Sequence, residues 1–149
     1  MNTTKLAIMY DFDKTLSTTD MQNYSFIPAL GLTPDEFWGK TGEFSKATGC
    51  ERILSYMYVM ILEAKKKGII INREFLNGCG KDIKFFPGVL EYFDRINEYG
   101  RSKGVEVEHY LVSSGTKEIV EGSSIIKFFK KAWACEYIYD EDGAPMWPK

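Results

Sequence analysis

The chain opens on a short apolar run, KLAIMY at 5–10, that ends directly at two aspartates, Asp11 and Asp13. A run of this length bounded by polar residues is typical of a strand buried in a parallel sheet. In an extended chain, residues two apart point to the same side, so both carboxylates face one way while Phe12 faces the other. Ligands of open α/β sheets bind outside the carboxyl ends of strands. The sequence therefore predicts two acids side by side where a ligand would bind.

Residues 17–82 show helical patterns only. Thr33 and Glu36 frame a helix start, with proline at the first helical position and a complete capping box. Apolar residues then repeat at helical spacing within Gly49–Gly68, and the final glycine can adopt the left-handed conformation that ends a helix. Asn72 is placed to cap another short helix. An insert of this length is not a simple loop, so we expect a helical cap over the carboxyl end of the first strand.

After the insert, helical and extended patterns alternate. The predicted elements are a helix from Phe85 to near Gly104, a strand at 105–112, a helix running to Phe129, a strand at 133–139 and a turn at 140–143. This order favours the α/β class, with a parallel sheet and right-handed crossovers. The predicted architecture is a Rossmann-like three-layer core formed by 1–16 and 83–149, with a helical cap formed by 17–82.

A second polar group follows the second predicted strand. Ser113 stands at the strand's end, Gly115 comes two residues later, and the next helix would offer free backbone amides to an anion. A hydroxyl and amides in this arrangement could hold phosphoryl oxygens. The alternative is a plain helix N-cap, in which Ser114 or Thr116 serves only the backbone. Taken together with Asp11, the pattern favours phosphate binding.

The paired carboxylates of Asp11 and Asp13 call for a counter-charge. Two adjacent acids repel each other, and one of their pKa values rises unless a cation lies between them. Oxygen ligands with paired negative charge suit Mg²⁺. The alternative is a surface turn that contains two aspartates by chance. The apolar strand before them, and Thr15 and Leu16 after them, favour a functional site instead.

The overall composition excludes several other kinds of protein. With 44% hydrophobic and 27% charged residues and a net charge of -2, the chain suits a soluble domain with no general attraction to nucleic acid. Three widely spaced cysteines and a single histidine, His109, favour neither a zinc site nor a disulfide framework. No apolar stretch reaches the ~20 residues of a membrane span, and the apolar run near the start is too short for a signal peptide. We therefore expect a cytoplasmic protein, with His109 as a packing residue.

These motifs resemble those of a known family. LAIMYDFDKTL is similar to the first motif of the haloacid dehalogenase-like superfamily, whose phosphatases have DxDxT after a hydrophobic strand. YLVSSGT resembles the second motif, a strand that ends in serine or threonine. FFPGVLEYF resembles the helix start that precedes the second strand in this group, and the helical insert matches the family's cap position. The branch that the sequence resembles most is the phosphoserine phosphatase-like one.

The resemblance implies a two-step phosphoryl transfer on a small phosphorylated metabolite. Asp11 would be the nucleophile, and Asp13 the acid that protonates the leaving group and then the base that activates water. Mg²⁺ would be held by Asp11 and by the backbone carbonyl of Asp13. The phosphate would be bound by Ser113 together with further groups of both motifs, which are Thr15 and the backbone amides of Phe12, Ser114 and Gly115.

The sequence departs from the family pattern after Ser113. The family's third motif is a lysine and its fourth an acidic pair on a later strand, and neither has a clear match here; Lys149 has no context that would assign it. We therefore expect a truncated product, with an exposed sheet edge at the first strand that favours self-association. Two alternatives stay open, an inactive fragment or pseudo-enzyme that only binds a partner, and a phosphoacceptor domain of the receiver type.

Overall fold

The computed structural model describes residues 4–149. Its helices and strands, in chain order, are β1 Thr4–Tyr10, α1 Phe26–Ala29, α2 Pro34–Thr48, α3 Arg52–Lys66, α4 Arg73–Cys79, α5 Val89–Ser102, β2 Val105–Thr116, α6 Lys117–Glu121, β3 Lys131–Cys135, β4 Tyr137–Tyr139 and β5 Pro145–Pro148. Short 3-10 turns at Met21–Asn23 and Ile126–Phe128 complete the described elements. No helix within the described residues is long and apolar enough to cross a bilayer.

The central sheet is parallel and has the strand order β1-β2-β3. Ile8 pairs with His109 and Tyr10 with Leu111, so β1 and β2 run side by side to the same edge. The carboxyl end of β1 therefore lies beside the end of β2, as the sequence predicts. The α/β class with a parallel Rossmann-like sheet is confirmed.

Both crossover connections lie on one face of this sheet. Helix α5 packs there through the buried Phe93, whose ring centroid lies 5.7 Å from that of Tyr10 and 5.2 Å from that of His109. Phe129, in the connection from β2 to β3, lies on the same face, 5.8 Å from the Tyr10 ring. Right-handed crossovers that step in one direction along a sheet place both connections on the same side.

The opposite face of the sheet is open to solvent among the described residues. It presents Met9, Val112 and Trp133, which are 72%, 49% and 46% exposed. On β1, Leu6 is also 49% exposed. The prediction of a strand at 5–10 is confirmed, but the prediction that it is buried is wrong. Only one face carries helices, and within residues 4–149 no strand pairs with the outer edge of β1.

The insert between β1 and α5 contains helices α1 to α4 and is helical, as expected. The capping box of α2 forms, with the Glu36 amide donating to the Thr33 hydroxyl and the Thr33 amide donating to the Glu36 carboxylate. Asn72 caps α4 by accepting a hydrogen bond from the Phe75 amide at 2.7 Å, and Gly68 adopts a left-handed φ of 67°. Buried side chains of the insert and of the sheet form one continuous hydrophobic core.

Two sequence-based expectations fail near the carboxyl end. The helix predicted to run to Phe129 stops at Glu121, and the next residue, Gly122, lies against the backbone of Asn77 in α4. The strand predicted at 133–139 is two strands. β3 belongs to the parallel sheet, whereas β4 pairs antiparallel with β5 across the predicted turn at 140–143.

Candidate active site

The two aspartates lie at the end of β1 in a tight turn anchored by Phe12. The Phe12 side chain is fully buried and packs edge-on against Phe85, while its carbonyl accepts hydrogen bonds from the Leu16 and Ser17 amides at 2.9 and 3.1 Å. Asp11 is exposed, and its carboxylate accepts a hydrogen bond from the Thr15 hydroxyl at 3.1 Å. Since Phe12 faces the core, the turn directs Asp11 towards solvent.

Asp13 is held in a more enclosed position than Asp11. Its carboxylate accepts a hydrogen bond from the Met21 amide at 2.7 Å. Burial raises the pKa of the Asp13 carboxyl to about 7; the Met21 hydrogen bond opposes this rise, and the nearby Asp20 and Asp11 add to it. The like-charge effect that the sequence predicts is present, but desolvation is the larger cause. Asp13 can therefore hold or release a proton near neutral pH.

The end of β2 comes directly against Asp13. A Cβ atom placed on Gly115 would lie 3.1 Å from an oxygen of the Asp13 carboxylate and 2.1 Å from the Met21 methyl, so a side chain here would crowd Asp13 and displace the end of Met21. Ser113 lies at the same strand end, and its hydroxyl oxygen accepts a hydrogen bond from the Gly115 amide at 3.0 Å. The Gly115 amide is therefore already hydrogen-bonded within this strand end. The carbonyl of Ser114 accepts a hydrogen bond from Tyr56 at 2.8 Å.

A cavity of about 410 Å³ opens above these strand ends. Its lining residues come from both motifs and from the helical insert, and they are Asp13, Lys14, Asp20, Gln22, Trp38, Thr41, Gly42, Arg52, Ile53, Tyr56, Ser114 and Gly115. The structure thus brings Asp13, Ser114 and Gly115 into one cavity wall. Asp11, Thr15 and Ser113 are near the strand ends but are not part of this lining.

Several lining residues are not identified by the sequence analysis. Trp38 and Thr41 come from α2, and Arg52, Ile53 and Tyr56 from α3, so their position over the site depends on how the helices fold back. Tyr56 is buried in the core and also lines the cavity. No local pattern singles out Arg52.

The cavity contains both signs of charge. Lys14 forms an ion pair with Asp20 at 2.7 Å, and this hydrogen bond raises the pKa of the Lys14 ammonium. Arg52 is the second cationic side chain in the lining. With Asp13 holding a proton, this wall can accept an anionic ligand.

A divalent cation has few protein ligands here. Within residues 4–149, no three His, Cys, Asp or Glu side chains form a group that could hold a metal ion. The Asp11 carboxylate and the Asp13 backbone carbonyl are oxygen donors at the strand end, the ligand type that Mg²⁺ prefers. These two donors fit Mg²⁺ chemically, and water would have to fill the remaining positions of its octahedron.

Comparisons with known proteins support the same fold. No family model matches the chain. A curated protein of Borreliella burgdorferi, described as uncharacterized, is 30% identical over 144 residues, which is 89% of this chain and 50% of that protein. The chain thus spans about half the length of this curated relative.

Three solved structures are similar in fold. A phosphoserine phosphohydrolase-like protein from Francisella tularensis has a TM-score of 0.63 and 14% identity, over 97% of this chain and 64% of that one. A HAD family hydrolase from Salmonella enterica serovar Typhi has a TM-score of 0.62 and 13% identity, over 93% of this chain and 43% of that one. A phosphoserine phosphatase, solved as an analogue of its phospho-aspartyl intermediate, has a TM-score of 0.58 and 19% identity, over 95% of this chain and 61% of that one.

These similarities define the class of protein at the level of the fold. The chain has the haloacid dehalogenase-like fold, in the form found in phosphoserine phosphatase-like proteins. Its DxDxT motif occupies the end of β1, and its YLVSSGT motif occupies the end of the neighbouring strand β2.

Proposed function

We propose that this chain is the nucleophile-bearing part of a Mg²⁺-dependent phosphatase that acts on a small phosphorylated metabolite through an aspartyl phosphate. The observation that supports this most directly is the contrast between two neighbouring carboxyl groups. Asp11 is exposed at the strand end, whereas Asp13 is enclosed, with its pKa raised to about 7. This contrast supports Asp11 as the nucleophile and Asp13 as the proton donor.

In the first step, a carboxylate oxygen of Asp11 attacks phosphorus in line, and the bond from phosphorus to the leaving oxygen breaks. Asp13 gives its proton to that leaving oxygen. In the second step, water attacks the phosphorus of the aspartyl phosphate, Asp13 accepts a proton from this water, and the Asp11 carboxylate is regenerated. The hydrogen bond from Thr15 orients the free Asp11 carboxylate for the first step.

The remaining site residues would bind and orient the phosphate. Ser113 would supply a hydroxyl, and Ser114 and Phe12 would supply backbone amides. These groups lie at or just beyond the carboxyl ends of β2 and β1. Mg²⁺, held by the Asp11 carboxylate and the Asp13 carbonyl, would neutralise negative charge on the phosphoryl group. Arg52 and the other insert residues that line the cavity would select the rest of the substrate.

The second candidate is a catalytically inactive fragment that only binds a partner. It is favoured by one observation, the absence within residues 4–149 of any group of three potential metal ligands. Both candidates keep Asp11 at the strand end, so they differ in whether a phosphoryl group is ever transferred to it.

The test is covalent labelling with p-nitrophenyl phosphate or an alkyl phosphate in the presence of Mg²⁺, read by intact-protein mass spectrometry after acid quench. We expect a phosphoprotein that is cleaved by hydroxylamine, as acyl phosphates are. Asp11→Asn should abolish it. Asp13→Asn should still be labelled by the nitrophenyl ester, whose leaving group needs no proton, but not by the alkyl ester.

Asp94→Asn, an exposed aspartate on α5, is the matched control and should behave as the wild type. No label on the wild-type chain under any of these conditions would support the inactive fragment instead. A label on the Asp11→Asn variant at the wild-type level would show that another residue is the nucleophile.

A further inference from the structure

An internal ion pair lies in the wall of the cavity above the strand ends. The Lys14 ammonium is 2.7 Å from the Asp20 carboxylate, and both side chains belong to the lining. The Asp20 side chain is 26% exposed, so the pair is in contact with solvent rather than sealed in the core. One carboxylate of the lining is therefore already paired with a cation of the same chain.

The backbone between the two residues brings them together. The Met21 amide donates to the Asp13 carboxylate at 2.7 Å, so the chain returns to Asp13 after one short loop and places Asp20 beside Lys14. Lys14 has a φ of 60°, and it is the only residue other than glycine with a positive φ in the part of the chain that the structure describes. Glycine adopts this conformation at lower cost, and residues held in it are concentrated at functional sites. The backbone thus favours glycine at residue 14, which indicates that the lysine side chain has a role of its own.

The pair decides which charges the cavity offers to a ligand. Among the described residues, the lining has two carboxylates, those of Asp13 and Asp20. Asp13 is the proposed proton donor, which leaves Asp20 as the carboxylate for a cationic group of a substrate. Lys14 already supplies a cation there, and Arg52 adds a second positive charge to the same lining. An ammonium group on a ligand would have to displace Lys14 or lie close to it, and like charges repel.

We propose that Lys14 is a specificity-determining residue that closes Asp20 to a substrate ammonium. The cavity then accepts phosphate monoesters with a hydroxyl group where phosphoserine carries its amino group. This substrate class rests on the proposed phosphatase function, and it consists of phosphorylated hydroxy acids and alcohols rather than phosphorylated amino acids. The chain would thus differ in substrate from the phosphoserine phosphatases with which it shares its fold.

The test compares two ligands of almost equal size, 3-phosphoglycerate and phosphoserine, which carry a hydroxyl and an ammonium group on the same carbon atom. Isothermal titration calorimetry in the presence of Mg²⁺ gives the dissociation constant of each ligand. We expect the wild-type chain to bind 3-phosphoglycerate about fivefold more tightly, the upper range for a single exposed ion pair. Lys14→Gln removes the charge but keeps the length of the side chain, so it should shift the ratio of the two dissociation constants by about fivefold towards phosphoserine.

Three further variants serve as controls. Lys14→Arg keeps the positive charge beside Asp20 and should retain the wild-type ratio. Lys46→Gln removes a lysine charge in the last turn of α2, outside the cavity lining, and should also retain it. In the double variant, Lys14→Gln with Asp20→Asn, the carboxylate is absent as well, so the gain for phosphoserine should disappear.

Equal affinities of the wild-type chain for the two ligands, or a ratio that Lys14→Gln leaves unchanged, would overturn the assignment of Lys14. A lack of measurable binding of both ligands would overturn it too, as would a gain for phosphoserine that persists in the double variant. Failure of the proposed function is a separate result, because labelling of Asp11 by p-nitrophenyl phosphate involves a leaving group without an ammonium group. A chain that is labelled but does not distinguish the two ligands keeps the phosphatase function and loses the specificity. A chain that distinguishes them but is never labelled keeps the binding preference without the reaction.

Discussion

Gly122 follows helix α6 at the point where α4 of the insert crosses it. A Cβ atom on Gly122 would lie 1.8 Å from the carbonyl oxygen of Asn77, and one on Gly80 would lie 2.1 Å from the carbonyl oxygen of Ile119. The φ of Gly122 is -79°, which alanine adopts without strain. We therefore expect Gly122→Ala to destabilise the protein through the backbone clash alone.

The size of the effect follows from the distances. The contact must lengthen from 1.8 Å to the 3.4 Å of an ordinary contact, which moves α4 away from α6 and loosens the buried Leu76 and Val120. Overpacking typically costs about 1–3 kcal/mol, and the upper end applies because the clashing atom belongs to backbone. At about 2–4 °C per kcal/mol for a chain of this length, a loss of about 3 kcal/mol lowers the Tm by about 6–12 °C.

Thermal unfolding followed by circular dichroism measures this shift. Gly39→Ala is the control, because Gly39 lies inside helix α2 and has open space where its Cβ would be. That change should raise stability by about 0.5–1 kcal/mol through helix propensity. If the Gly122→Ala variant melts as high as the Gly39→Ala variant, the close approach of α4 to α6 is not a feature of the folded protein.

Two further expectations concern pH and metal. Hydrogen bonds from Lys130, Tyr110 and Lys5 lower the pKa of Glu108 to about 2, so its stabilising effect is fully present above the unfolded value of about 4.3 and is lost as the pH falls towards 2. Urea unfolding gives the free energy of unfolding at pH 5 and at pH 3. The loss of this free energy between the two pH values should be smaller for Glu108→Gln than for the wild type, and an equal loss would refute this. Calorimetry should detect only weak Mg²⁺ binding, because Asp11 and Asp13 supply two oxygen donors, and turnover of p-nitrophenyl phosphate should be slow. Tight Mg²⁺ binding would contradict the ligand assignment.

Local interactions explain the predictions that succeeded. The capping box at Thr33 and the Asn72 cap involve residues three apart, so their hydrogen bonds are encoded in a few neighbouring positions. The strand at β1 and the placement of Asp11 beyond it follow from a similarly short pattern. The strand partner β2 follows from the alternating order of elements, because parallel strands joined by right-handed crossovers have few possible arrangements.

The sequence by itself thus determined the α/β class, the helical insert and the position of the paired aspartates. Only the tertiary structure decided that α6 stops where Gly122 meets α4, that the last predicted strand divides into β3 and β4, and that Arg52 and Trp38 face the cavity. It also decided that burial raises the pKa of the Asp13 carboxyl to about 7 while Asp11 stays exposed. Each of these depends on contacts between residues far apart in the chain, and burial is a property of the packed neighbours rather than of the residue type.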